Sequence, residues 1–450
     1  MTSKPASTKP LSGGLNFQLS TMMFFQYAVW GAWLPFLWSF LSTHRGFSGG
    51  QIGDIFAVGA IGAIIGPFIA GQIADRYFST EKFLSLSHFL GAVLIWQLSW
   101  METYNQFLIF SLIYGLVYAP TVSLTNSLSF HHLPDRDRDF GRVRMWGTFG
   151  WIAVGLAMGH WLASQHMPAD PGAAKEVITT ALAAGKADAF KLSAILGAAM
   201  ALFCLFLPHT PPSKKSGGNA FLGALSCVKY QPLITLFLLS VPISCIHQFY
   251  FVHTEAFLTA KQIAAPKIFK TIFGEGGGGL MTVGQMSEAL VLGAITFVAR
   301  KTAHKWLLAA GIVAYALRMA LFAYVDHVPL PTMATLLTGI SLHGFCFSCF
   351  IFVAYMVVDE ETPDDVRASA QNLFNLVIIG IGISVGSKIA GYVSDWSKTG
   401  DSIDYTRLFS VPMWASVICL ALLLVFYPNR KPEREQSDTR AAIEDESEGN

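Results

Sequence analysis

Long apolar runs alternate with short polar segments along almost the whole chain. In order they predict twelve helices, at 17–42, 50–74, 82–101, 105–130, 142–163, 188–208, 232–258, 280–299, 305–325, 330–357, 367–393 and 408–427. Each run is long enough to cross a ~30 Å hydrocarbon core at about 1.5 Å of rise per residue. Backbone in lipid has no water to pair with, so each run is read as a helix. The polar stretch 209–231 is rich in Pro, Gly, Ser and Lys and reads as a cytoplasmic linker, with a short amphipathic helix over Ala220–Tyr230. It divides the chain into one six-helix half at 17–208 and another at 232–427. The polar segment 1–16 lacks the form of a cleaved signal peptide. The charged tail 428–450 has no aromatic residue and is expected to be disordered. The outer loops 164–187 and 259–279 have room for short helices.

Composition supports an all-α polytopic membrane protein. Of 450 residues 53% are hydrophobic and 13% charged, roughly half the ~25% charge of a soluble domain. A formal net charge of +1 gives no pull toward nucleic acid, and a monomer in a lipid bilayer is the expected state. Lys and Arg concentrate on the side of the termini (Arg76, Arg136, Arg142, Lys305 and Arg367 among them), which places both termini in the cytoplasm and the chain in the plasma (inner) membrane. Five of six cysteines lie in apolar runs, so no disulfide framework is expected. Cys346 and Cys349 have a CxxC spacing, but inside a span they read as small packing residues. The 12 histidines have no metal-ligand spacing, and no metal or cofactor is expected. No nucleophile–base cluster suggests an enzyme.

Within this pattern the stretch Leu280–Ala299 carries one formal charge, Glu288, near its middle. Gln285 precedes it by three residues and shares its helix face. An acid at that depth is costly unless paired, protonated or reached by water. It is either a structural acid bonded to a neighbouring helix or a substrate or proton site on a transport path. Other polar and aromatic residues recur at helical spacing: Arg144, Thr148 and Trp151 in span five; Gln248, Phe251 and Glu255 in span seven; His343 and Phe347 in span ten. Together they suit a small neutral ligand with several hydroxyls and a planar ring. Each has a plainer reading. Arg144 can snorkel to the cytoplasm, Glu255 reads as an interfacial charge and His343 as a packing histidine. Arg318, deep in span nine, reads as a structural pair with a carbonyl or an acid.

Gly71-Gln-Ile-Ala-Asp75-Arg76 closes span two. It resembles the GxxxDR core of the major facilitator loop motif, in which Gly71 would allow close helix approach and Asp75 and Arg76 would form a conformational latch. Further stretches resemble one branch of that superfamily, the bacterial nucleoside:proton symporters. They are Phe25-Gln-Tyr-Ala-Val-Trp30-Gly-Ala-Trp33-Leu, Tyr118-Ala-Pro-Thr121, Val143-Arg-Met-Trp-Gly-Thr-Phe-Gly150, Gln285-Met-Ser-Glu288, Leu317-Arg-Met-Ala-Leu-Phe-Ala-Tyr324 and Arg367-Ala-Ser-Ala-Gln371. The resemblance implies a major facilitator fold in two six-helix halves and a nucleoside such as uridine bound between them. It assigns Arg144, Thr148, Gln248, Gln285, Glu288 and Phe347 to ligand contact, with Trp151 in place of a Phe. Three positions depart: Phe251 replaces an amide, His343 a Tyr, and Ser348 an intramembrane Asp that is a candidate for proton coupling. Glu288 is then the strongest remaining midplane acid for coupling to the proton. The resulting expectation is a proton-coupled nucleoside importer working by alternating access. A sugar or polyol carrier of the same fold, or a non-cycling sensor, are the alternatives.

Overall fold

The computed structural model describes residues 10–69, 78–170, 172–211, 227–299, 301–363, 366–400 and 402–429. Gly71, Asp75 and Arg76, most of the linker with its amphipathic stretch, and nearly all of the tail lie outside the described residues.

Among those described, twelve helical runs follow one another. The first is Gly13–Trp33, prolonged through a tight turn at Leu34–Phe36 to a wide turn at Phe40–His44. Next come Gly49–Ile69, Thr80–Leu98, Tyr104–His132, Arg136–Gln165 and Ala187–Cys204. The second half has Leu233–Gln262, Gly278–Ala299, His304–Ala323, Thr332–Glu360, Arg367–Trp396 and Tyr405–Phe426. Eight helices qualify as membrane spans by length and apolarity alone. The first run carries Asn16, Gln18, Ser20, Thr21 and Gln26, and the fifth opens on a charged turn, so hydropathy under-reports both. That fifth helix starts six residues earlier than the apolar pattern predicts. Asp135 caps it by accepting a hydrogen bond from the Arg138 amide at 3.1 Å, which lets the helix extend into polar sequence. The outer loops carry the short helices Lys175–Gly185 and Lys267–Phe273.

Spans one and five, two and four, and three and six pack together in the first half; nine and twelve, and eight and ten, do so in the second. Large apolar side chains such as Phe206, Leu238, Leu290 and Val425 remain exposed on the outer faces, where lipid would cover them. The halves meet along two seams, span two against eleven and span five against eight.

The first seam depends on glycine. A Cβ on Gly391 would lie 2.2 Å from the carbonyl oxygen of Gly49, so backbones touch there. Beside this contact the Gly49 and Gly50 amides each donate to Asp395 at 2.8 Å, and Lys388 pairs with Asp54 at 2.8 Å. Gly391→Ala is expected to force the two backbones apart, at a cost of about 1–3 kcal/mol typical of overpacking. Detergent-solubilised protein should melt a few degrees lower, and an unchanged melting temperature would show that the seam yields freely.

The end of the bundle remote from the termini is closed by a buried polar cluster. Glu255 is fully buried, not interfacial as its position near a span end suggests. Its carboxylate takes Lys186 at 2.8 Å, the Thr259 hydroxyl at 2.8 Å, and the hydroxyl of Ser39. Lys186 and Ser39 belong to the first half and Glu255 to the second, so the cluster bolts the halves together. Glu275, also buried, donates its amide to the Gly159 carbonyl at 2.8 Å and adds a second cross-half contact.

Candidate functional site

Span eight places Glu288 at the middle of Gly278–Ala299, with its side chain 15% exposed. One turn earlier Gln285 points the same way, as the spacing predicts. Both converge on His343 of span ten. Its Nε2 lies 3.4 Å from a Glu288 carboxylate oxygen and 3.4 Å from the amide end of Gln285. His343 itself is buried, so only the edge of this trio is open.

Behind the imidazole lies a bed of residues of which sequence reading singles out only Arg318. Tyr250 stacks on it at 4.5 Å and 19° between rings, and His247 at 5.5 Å and 26°. The His247 Nδ1 is 2.6 Å from the Tyr315 hydroxyl. Arg318, fully buried, donates to Nδ1 of His343 at 3.0 Å. Its guanidinium also lies over the rings of Tyr250 and Tyr315, at 4.4 and 5.1 Å. Ring faces attract a cation, which offsets part of its desolvation. The expected partner of Arg318 was an acid or a carbonyl; the observed one is a histidine ring. His247 and Tyr250, like Tyr315 and Arg318, are three apart on one helix face, but no spacing within a helix brings the two pairs to His343.

An aromatic wall adjoins this polar edge. Trp151 of span five and Phe251 of span seven meet edge to face at 6.3 Å, across the boundary between halves. Trp30 supports the indole from behind at 5.7 Å. A Cβ on Gly31 would fall 2.7 Å from the Trp151 ring, so only glycine lets the indole lie flat on span one. Phe251 also reaches His343, at 5.9 Å, while Phe347 touches the group through His247 at 6.4 Å.

Other predicted residues sit differently. Arg144 lies over the ring of Tyr27 at 3.8 Å; the close contact of Glu288 is with His343, while Arg144 stands near enough to act on the carboxylate through its charge. Thr148 is half-buried one turn beyond Arg144, and Gln248 is buried three residues before Phe251. Among the described residues neither has a polar contact with the trio. Span ten departs from a regular helix at Cys346–Phe352, a wide π-type turn that contains Phe347 and Ser348. Such turns shift the facing of the side chains that follow, and no local sequence signal announces this one. The Ser348 hydroxyl is buried, with no partner among the described residues.

The arrangement offers a carboxylate acceptor, an imidazole and an amide along one edge, beside rings on which a planar group can stack. Comparison with known proteins gives this geometry a context. The chain is 35% identical over 382 residues to the putative nucleoside transporter YegT of Escherichia coli K12, covering 84% of each chain. It is 27% identical over 428 residues to the nucleoside permease NupG of the same organism, covering 92% of this chain and 96% of that one. The crystal structure of NupG superposes with a TM-score of 0.77 at 26% identity, over 91% of this chain and 98% of that one. A model of the nucleoside H+ symporter family matches residues 14–432, and the chain belongs to that family.

Proposed function

We propose that this protein imports nucleosides, uridine-like ones among them, with the proton as coupling ion and no other cofactor. The chain is a transporter and not an enzyme, as its family is. It works as a monomer in the inner membrane with both termini cytoplasmic. The observation that carries the proposal is the juxtaposition of the Glu288–His343–Gln285 edge with the Trp151–Phe251 wall. A sugar hydroxyl both donates and accepts, and the edge supplies partners for both roles. A base is planar, and the wall supplies a face to stack on. Arg144, Thr148 and Gln248 complete the ligand contacts once the halves close on it. With the remote end bolted by Glu255, the partial exposure of the site corresponds to access from the side of the termini. Alternating access then consists of opening the bolt while the other end shuts.

The test is uptake of radiolabelled uridine into proteoliposomes with and without an inward proton gradient. Saturable uptake that rises with the gradient is expected, and sugars should not compete. Absence of saturable uptake for every nucleoside tried would refute the substrate reading. In the same system Trp151→Ala should weaken uridine binding about tenfold or more, on the scale of a lost base–aromatic stack. Trp151→Phe should stay within a few-fold of the wild type.

A further inference from the structure

Arg318 raises a question that transport of a nucleoside does not answer. A guanidinium with no exposure is expensive in a membrane-embedded bundle unless it has a counterion. Among the described residues no carboxylate lies in ion-pair contact with it, and its Nε and Nη2 have no hydrogen-bond partner. Its one side-chain hydrogen bond goes to Nδ1 of His343, at 3.0 Å.

That bond has a definite sense. Arginine has only donors, and it stays protonated in proteins. Nδ1 of His343 therefore accepts and carries no proton. The ring is neutral, and its single proton sits on Nε2, the atom 3.4 Å from Glu288. An N–H there also requires the Gln285 amide to turn its oxygen toward the ring. The groups packed around the imidazole are compatible with this state. They are His247 and Tyr250 of span seven, Gln285 and Glu288 of span eight, and Arg318 of span nine, with Tyr315 behind them against His247 and Arg318.

We propose that Arg318 is a positioning residue: it fixes the tautomer of His343, so that position 343 presents a ring N–H, never a lone pair, to Glu288 and the ligand. It rests on the nucleoside reading only for what the N–H meets. Arg318 does not touch the ligand; it acts through the ring. An imidazole free to choose its tautomer would offer the ligand a donor or an acceptor. A locked one discriminates, because a ligand acceptor is rewarded and a ligand donor is left facing a donor.

The decisive measurement is the ring-nitrogen spectrum of full-length protein labelled with 15N-histidine in bilayers, the His343 signal being identified by its loss in His343→Gln. The expected wild-type signal is a neutral ring, protonated at Nε2 and bare at Nδ1. A proton on Nδ1 overturns the proposal, whether or not any variant folds. In Arg318→Met the Nδ1–H form should emerge; a tautomer unchanged in that variant would equally overturn it. Uridine binding should weaken about tenfold in Arg318→Met, the scale of one hydrogen bond. It should recover to within about threefold in Arg318→Lys, which can donate to the same nitrogen. Normal binding in a folded Arg318→Met counts against the proposal. If wild-type protein binds no nucleoside, the transport reading fails, whereas the ring spectrum still decides the tautomer.

Discussion

Glu288→Gln is expected to abolish accumulation of nucleoside while sparing exchange. A one-to-one symporter facing a gradient of one pH unit can hold about a tenfold concentration ratio, since one unit is worth 1.36 kcal/mol. The wild type should approach that ratio in proteoliposomes. The variant should equilibrate at a ratio near one and still show counterflow, because glutamine keeps the shape of the side chain and its contact with His343. The choice of Glu288 follows from its place: mid-span, in reach of His343, and at the partly exposed edge of the trio. Ser348, where the resemblance leads one to look for an acid, offers only a buried hydroxyl. A tenfold ratio retained by Glu288→Gln would assign coupling elsewhere.

Lys186→Ala should release the bolt at the remote end. Lys186 and Glu255 are both buried, and their 2.8 Å pair joins the two halves. Removing one partner leaves the other charge buried alone, typically at a cost of about 3–5 kcal/mol. Because that charge is rehydrated when the end opens, the closed state bears the loss. The open-to-closed ratio should rise roughly a hundred-fold or more. Thr282, buried where span eight packs on span five, offers a reporter. In a Thr282→Cys background, labelling by a membrane-impermeant thiol reagent should accelerate sharply with Lys186→Ala. Lys186→Met combined with Glu255→Gln should return it toward the starting rate, since no charge is then stranded. Labelling unaffected by Lys186→Ala would mean that the pair does not hold the halves.

Much of this fold was legible in the chain because lipid imposes one rule on backbone, and apolar length reports it directly. Twelve runs predicted twelve helices. The errors fell at ends, where capping decides and hydropathy is silent, as at Asp135. In the site, Gln285 and Glu288 were legible through a three-residue spacing, and Trp151 and Phe251 through their helical spacing with the polar residues of spans five and seven. Neither Arg318 nor His247 was placed beside His343, because their meeting depends on how spans seven, nine and ten pack, not on any one helix. Glu255 was misjudged for a related reason. Distance from a span end suggested an interfacial charge, but Lys186 arrives from the other half of the chain, behind the loop helix Lys175–Gly185, to meet it.

Net import also requires the carrier to come back with nothing bound. A cleft lined only by groups that need a ligand would stall on that leg and act as an exchanger. Trp151 and Phe251 already touch each other across the divide, ring edge to ring face. The empty protein therefore has its own apolar surface to close on, and the contact that a nucleoside base would displace is the one that lets the cycle turn over.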